Sequence, residues 1–141
     1  MAHDAGMDDA RPRLLVVDAA NVVGARPDGW WRDRAGAAER LLAALATAIT
    51  AGATPDLADR RVVVVLEGRA LAAADDAARR HPGLEVVRAP RDGDAAIVEL
   101  VAAHPGHDVV VITSDRELRR RVTARGATVR GAGWLRDLLD G

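Results

Sequence analysis

Apolar residues fall along the chain in short unbroken runs, separated by longer stretches with helical spacing. Leu14-Leu-Val-Val17, Val62-Val-Val-Val-Leu66 and Val109-Val-Val-Ile112 are continuous and rich in leucine and β-branched residues. Runs of this kind read as strands buried on both faces. Leu84 to Val87 and Ala127 to Val129 are shorter strand candidates. Between the runs the period changes. Leu41, Leu42, Leu45 and Ile49 recur as on one helix face, with Asp33 as an N-cap type and Gly52 as the stop. Ile97, Leu100 and Val101 mark a helix from about Asp94 to Ala103, and Leu118 with Val122 mark another that ends at Gly126. The Ala-rich stretch from Leu71 to His81 predicts a helix stopped by Pro82-Gly83, and Trp134 to Leu139 a last turn or two. Strands alternate with helices throughout, which predicts an α/β fold: a parallel sheet with helices on both faces.

The chain has 141 residues, the size of one domain. Residues 1–12 lack apolar periodicity and read as a disordered leader, leaving 13–141 as a single domain. Met1 to Arg11 has no apolar segment of the kind a signal peptide needs. No apolar run approaches the roughly 20 residues that span a bilayer, so a soluble cytoplasmic protein with no membrane partner is expected. Three Trp with no Phe or Tyr leave the core to Val, Leu, Ile and Ala. A net charge of -1 supplies no global field for a polyanion, so any basic surface is local. All 20 basic residues are Arg, and the lack of Lys removes Schiff-base chemistry and a P-loop lysine. The absence of Cys removes disulfides, thiolate catalysis and Cys-bound zinc.

Candidate chemistry lies where the strands end. Asp18 follows the first strand, Glu67 the second and Asp115 the fourth, while the loop after the third carries Asp92 and Asp94. In a parallel sheet these ends share one edge, the edge where open α/β sheets bind ligands. Carboxylates gathered there repel one another unless a cation compensates. Oxygen ligands without Cys or suitably spaced His suit Mg²⁺ or Mn²⁺. Such an ion polarises a phosphate and activates water, the chemistry of phosphodiester hydrolysis. Each acid also has a plainer reading. Ser114-Asp-Arg-Glu117 is a capping box in which Ser114 and Glu117 cap a helix and Asp115 favours its dipole. Asp92 is a plausible N-cap, Asp94 a first-turn acid, Asn21 a turn former and Glu67 a solvated loop acid. Capping alone does not require acids at successive strand ends.

Arg116, Arg119, Arg120 and Arg125 can share a helix surface opposite Leu118 and Val122. That pattern is usually a solvated face, but Arg116 and Arg119 start near the acids and can reach a flanking phosphate, as can Arg88 and Arg91. Trp30 or Trp31 can stack a base, with the other packed against the first helix. Gly131-Ala-Gly133 lies too near the C-terminus for a dinucleotide fingerprint, and Ala19-Ala-Asn21 provides no glycine-rich phosphate loop after the first strand.

Val17-Asp-Ala-Ala-Asn-Val22, Val65-Leu-Glu-Gly68, Asp92-Gly-Asp-Ala-Ala-Ile97 and Ile112-Thr-Ser-Asp-Arg-Glu117 together resemble the motifs of PIN-like nucleases of the NYN group, near the bacterial YacP-like branch. The resemblance spans roughly residues 13 to 139. It implies a Rossmann-like three-layer α/β/α sandwich with about five strands in the order 3-2-1-4-5. It also implies divalent-metal-dependent cleavage of RNA, possible ribosome association, Asp18 as central metal ligand, and Asp94 and Asp115 completing the cluster beside Asp92. By the same resemblance Asn21 orients Asp18 or a water, Ser114 steadies the end of the fourth strand, and Glu67 is an additional member. Related proteins often carry a second acid where this chain has Ala95. Loss of cleavage, leaving an RNA- or ribosome-binding domain, is the alternative that this departure keeps open.

Overall fold

The central strand, β1 (Arg13–Asp18), is flanked on both sides by strands parallel to it. The computed structural model describes residues 11–25, 29–52, 55–57 and 60–140. Around β1 stand β2 (Arg61–Leu66), β3 (Leu84–Arg88), β4 (Asp108–Ile112) and β5 (Thr128–Arg130), all parallel, in the order β3-β2-β1-β4-β5. The Rossmann-like sheet and the strand order expected from the motifs are both present. The predicted leader, residues 1–12, falls mostly outside the described residues. Arg11 and Pro12 already touch the sheet: Pro12 accepts a hydrogen bond from the Asp108 amide at 2.8 Å, and Arg11 donates to the His107 carbonyl at 3.2 Å.

Alternate residues of the strands feed two cores. Leu15, Val17, Val62, Val64, Leu66, Val110 and Ile112 face one way. They pack against α1 (Ala19–Gly24), α2 (Arg34–Ala51) and α6 (Ala132–Asp140) through residues such as Val22, Leu41, Leu45 and Leu135. Leu14, Val16, Val63, Val65, Val109 and Val111 face the other way, against α4 (Gly93–Ala102) and α5 (Arg116–Thr123) through Ile97, Val101, Leu118 and Val122. The α2 helix starts and stops where its residues predict. Asp33 accepts from the Gly36 amide at 2.9 Å, and Gly52 takes the left-handed conformation at φ 60°.

Two elements differ from expectation. Asn21, read as a turn former, lies instead within α1, because Asp18 itself caps this helix and Ala19, Val22 and Val23 bury one side of it. The Ala-rich stretch from Leu71 is not one helix. It is a 3-10 turn (Gly68–Ala72), an extended residue at Ala73, and the single-turn α3 (Asp76–Arg79). Arg88 donates to the carbonyls of Leu71 at 3.2 Å and Ala73 at 2.7 Å, and Glu39 accepts from the Ala74 amide at 2.7 Å. These side chains take the backbone groups that a continuous helix would have paired with itself.

Candidate active site at the carboxyl edge of the sheet

The chain runs from β1 through β2 to β3 on one side and returns through β4 to β5 on the other. The carboxyl ends of β1 and β4 therefore flank the point where the strand order reverses, the usual ligand position in such sheets. Val17 pairs with Ile112, so the next residues, Asp18 and Thr113, lie side by side. By alternation Asp18, Glu67 and Thr113 continue the rows of Val16, Val65 and Val111, on the side covered by α4 and α5.

Asp18 and Thr113 are the two buried polar residues among those described. The Thr113 hydroxyl donates to Asp18 Oδ2 at 2.9 Å and accepts from the Asp115 amide at 3.1 Å. Asp18 Oδ1 accepts from the Asn21 amide at 3.3 Å, and Asn21 Oδ1 accepts from the Ser114 amide at 2.7 Å. One hydroxyl and one carboxamide thus tie the end of β1 to the end of β4. Burial lifts the Asp18 carboxyl from 3.8 to about 6; the Thr113 and Asn21 bonds oppose the rise, and the nearby Asp94 and Glu67 charges add to it. Asp94, in the first turn of α4, is also raised, by burial and by its neighbours Asp115 and Asp92, with Arg121 pulling the other way.

Asp92 and Asp115 are the N-caps of α4 and α5. Asp92 accepts from the Ala95 amide at 2.7 Å, and Asp115 accepts from the Leu118 amide at 2.9 Å. The capping box expected of Ser114 and Glu117 does not form, because the N-cap is Asp115, one residue later. Ser114 instead accepts from the Ala132 amide at 2.9 Å and so fixes the start of α6, while Glu117 pairs with Arg120. Glu67 lies over α4. A Cβ added at Gly93 would stand 2.6 Å from Glu67 Oε1, so a side chain there would push this carboxylate aside.

The acids therefore influence one another across a single edge. Among the described residues, however, no group of three His, Asp or Glu side chains stands ready to hold a metal. The donors are hard carboxylate oxygens, which fit Mg²⁺ or Mn²⁺. Such an ion commonly uses one or two carboxylates and completes its shell with water and substrate phosphate. The set fits a cation of that kind better than a preformed cage.

The basic candidates divide. Arg88 is engaged with Leu71, Ala73 and, at 3.6 Å, Asp75. Arg91, Arg116 and Arg119 are exposed on the rim. Trp30 is half-buried against the core with the Arg34 guanidinium 5.4 Å from its ring centre, while Trp31 is 54% exposed. Two contributors escaped the sequence. Thr113 could have been noticed as a hydroxyl ending a buried Val/Ile run just before an acid. Arg121 lay outside the arginine face read from the helix pattern, and only the approach of α5 to α4 brings it near Asp94.

With this geometry in view, comparison with solved structures identifies the architecture. The fold is that of Rae1 (YacP). A structure of Rae1 (YacP) from Bacillus subtilis matches with a TM-score of 0.67 and 22% identity, over 89% of this chain and 72% of that one. A point mutant of the same Rae1 matches with a TM-score of 0.61 and 21% identity, over 89% and 74%. At this identity the likeness to Rae1 is one of fold, and it agrees with the PIN-like architecture expected from the motifs. No protein-family model matches the sequence, and no curated protein matches it.

Proposed function

We propose that the protein is a divalent-metal-dependent ribonuclease that hydrolyses RNA phosphodiester bonds at the carboxyl edge of the sheet. The observation that carries this reading is the buried Asp18 carboxylate at the strand-order reversal, held by Thr113 and Asn21 and surrounded by Asp94 and Glu67. A buried carboxylate with like charges beside it is costly unless a cation arrives, and active sites are where such costs are kept. Asp18 and Asp94, with Asp92 and Asp115 beside them, would hold Mg²⁺ or Mn²⁺. When bound, the ion supplies Lewis-acid polarisation of the phosphate and a lowered pKa for a water. Thr113 and Asn21 fix the Asp18 carboxylate, so it need not reorganise when RNA binds. Arg121, near Asp94, and the exposed Arg91, Arg116 and Arg119 would contact phosphates flanking the reacting one.

A second reading, RNA binding without cleavage, is favoured by Ala95 and by the capping duty of Asp92 and Asp115. Incubating the purified protein with mixed RNAs and with ribosome-bound RNA, in Mn²⁺ or in EDTA, separates the two. Cleavage that is abolished by EDTA and by Asp18→Asn supports the ribonuclease. Cleavage that persists in both sinks the mechanism, and RNA association in EDTA with no cleavage in Mn²⁺ selects the second reading.

A further inference from the structure

At the amino edge of the sheet, the end away from the acids, the chain leaving α4 and α5 encloses a crevice of about 210 Å³. One water needs roughly 10–15 Å³ on the same measure, so the crevice admits a larger guest. Its titratable lining is entirely basic: Arg11, His104, His107 and Arg125. Two acids stand close by, and both are engaged elsewhere. Glu85, which feels the His104 charge, is held by Arg61 at 2.6 and 3.1 Å. Asp108 pairs with Arg13 at 3.7 Å and, by alternation with Val109, belongs to the other face. The two imidazoles stand edge to face with ring centres 4.9 Å apart. His104 donates through Nδ1 to the Leu100 carbonyl at 2.7 Å, a bond that fixes the ring and leaves Nε2 out. Arg11 donates through Nε to the Gly106 carbonyl at 3.4 Å and through Nη2 to the His107 carbonyl at 3.2 Å, and neither bond uses Nη1. Among the described residues, the Arg125 side chain has no hydrogen-bond or ion-pair partner.

We infer that this crevice is a phosphate subsite remote from the acidic edge, taking a phosphate group of an RNA backbone or of a small phosphate compound. Its role in RNA binding rests on the ribonuclease reading; its existence does not. Cations at helix ends also answer the helix dipoles, but each end carries only about half a negative charge. Arg11 and Arg125 suffice for both ends, and two imidazoles in the same crevice go beyond that. A metal is the poorer guest. Two imidazoles are fewer than the three or four protein ligands that zinc takes, and both guanidiniums repel a cation. Phosphate oxygens suit the groups left over. The guanidiniums of Arg11 and Arg125 bring planar N–H donors of the kind that phosphate accepts. His104 Nδ1 already carries a proton, so a phosphate oxygen at Nε2 calls for a second one, and the ring binds as imidazolium. The α5 helix runs from its cap, Asp115, on the acidic edge to Arg125 here, with Arg116 and Arg119 exposed along it. Strands of five or six residues put the two edges roughly 20 Å apart. On RNA, the subsite would therefore hold a phosphate several nucleotides from the one cleaved.

The test is NMR of the imidazole nitrogens of His104 and His107 in the full chain, in EDTA at fixed pH and ionic strength. One titration uses inorganic phosphate and another a single-stranded oligoribonucleotide. Both are expected to move the two rings toward the imidazolium signature. Arg125→Ala, at an exposed position, is expected to weaken both responses about tenfold, the effect of losing one hydrogen bond between charged groups. In the RNA titration it should also lower the slope of log affinity against log salt by about 0.7, the loss of one phosphate contact on a single strand. Arg40→Ala, an equal loss of charge at an exposed position on α2, is expected to leave the imidazole responses unchanged. Imidazoles that stay silent at tens of millimolar phosphate, or equal weakening by the two variants, overturn the subsite. Imidazoles that answer phosphate but not the oligoribonucleotide leave the subsite standing and assign it to small phosphate compounds. RNA binding at these rings in a protein that never cleaves RNA would keep the subsite and remove the ribonuclease. Metal-dependent cleavage with silent imidazoles would do the reverse.

Discussion

Replacing Asp18 by Asn is expected to stabilise the fold at neutral pH while abolishing the proposed RNA cleavage. Burial, with Asp94 and Glu67 adding and the Thr113 and Asn21 bonds opposing, raises the folded carboxyl from 3.8 to about 6. The folded state therefore holds the Asp18 proton more tightly than the unfolded chain does. Between about pH 4 and pH 6 it binds more protons, and stability falls as pH rises through that window. Above the window the whole cost is in place. A difference of about 2 in pKa corresponds to about 3 kcal/mol. Asn keeps the shape and the Oδ1 acceptor for the Asn21 amide, but it can leave its NH₂ facing the Thr113 hydroxyl, which offsets part of the gain. A net stabilisation of about 1–2 kcal/mol at pH 8 remains; near pH 4, where only about 0.5 kcal/mol of the charge cost is in place, the same offset leaves the variant about 0.5–1.5 kcal/mol less stable than the parent. Urea unfolding of both proteins in EDTA at the two pH values measures it. A variant less stable than the parent at pH 8, or an equal difference at both pH values, would refute the placement of a charged carboxylate in this buried position.

Thr113→Val removes the donor to Asp18 and the acceptor for the Asp115 amide; a loss of about 2–4 kcal/mol is expected in urea melts, and Thr113→Ser should recover most of it. Asp94→Asn removes one of the two carboxylates that raise Asp18, so the Asp18 pKa should drop, as read by carboxyl ¹³C titration. Asn21→Ala leaves the Ser114 amide without its 2.7 Å acceptor, and a loss of about 1 kcal/mol with faster exchange of that amide is expected. Mn²⁺ at about 100 times its dissociation constant should stabilise the parent by about 2.7 kcal/mol and leave Asp18→Asn unchanged in thermal melts.

The alternation of buried runs with helical spacing carried the architecture, because strands buried on both faces leave little ambiguity in Val64 or Val111. The parity of the runs also carried part of the site: counting in twos from Val16, Val65 and Val111 puts Asp18, Glu67 and Thr113 on one face. Less was legible where a side chain's partner lay far along the chain. Asn21 looked like a turn former, and its bond to the Ser114 amide depends on a strand 93 residues away. Ser114 looked like the cap of the helix beside it, but it caps the next one, because Asp115 already occupies that role. The Ala-rich stretch gave no sign that Arg88 and Glu39 would take its backbone groups. Capping and chemistry were posed as rival readings of Asp92 and Asp115. The caps are present, and they set those acids on rigid helix starts.

The Asp18–Thr113 bond joins residues 95 apart, through a strand pair that closes only when both halves of the sheet have formed. Contacts of such sequence separation pay their loop-closure entropy before they return any stabilisation, and they are slow to form. Until β4 docks on β1, Asp18 has no hydroxyl to hold it and no Asp115 nearby. A partly folded chain would therefore carry all the acids with no assembled centre. On the proposed ribonuclease reading, the topology itself would withhold activity until folding is complete.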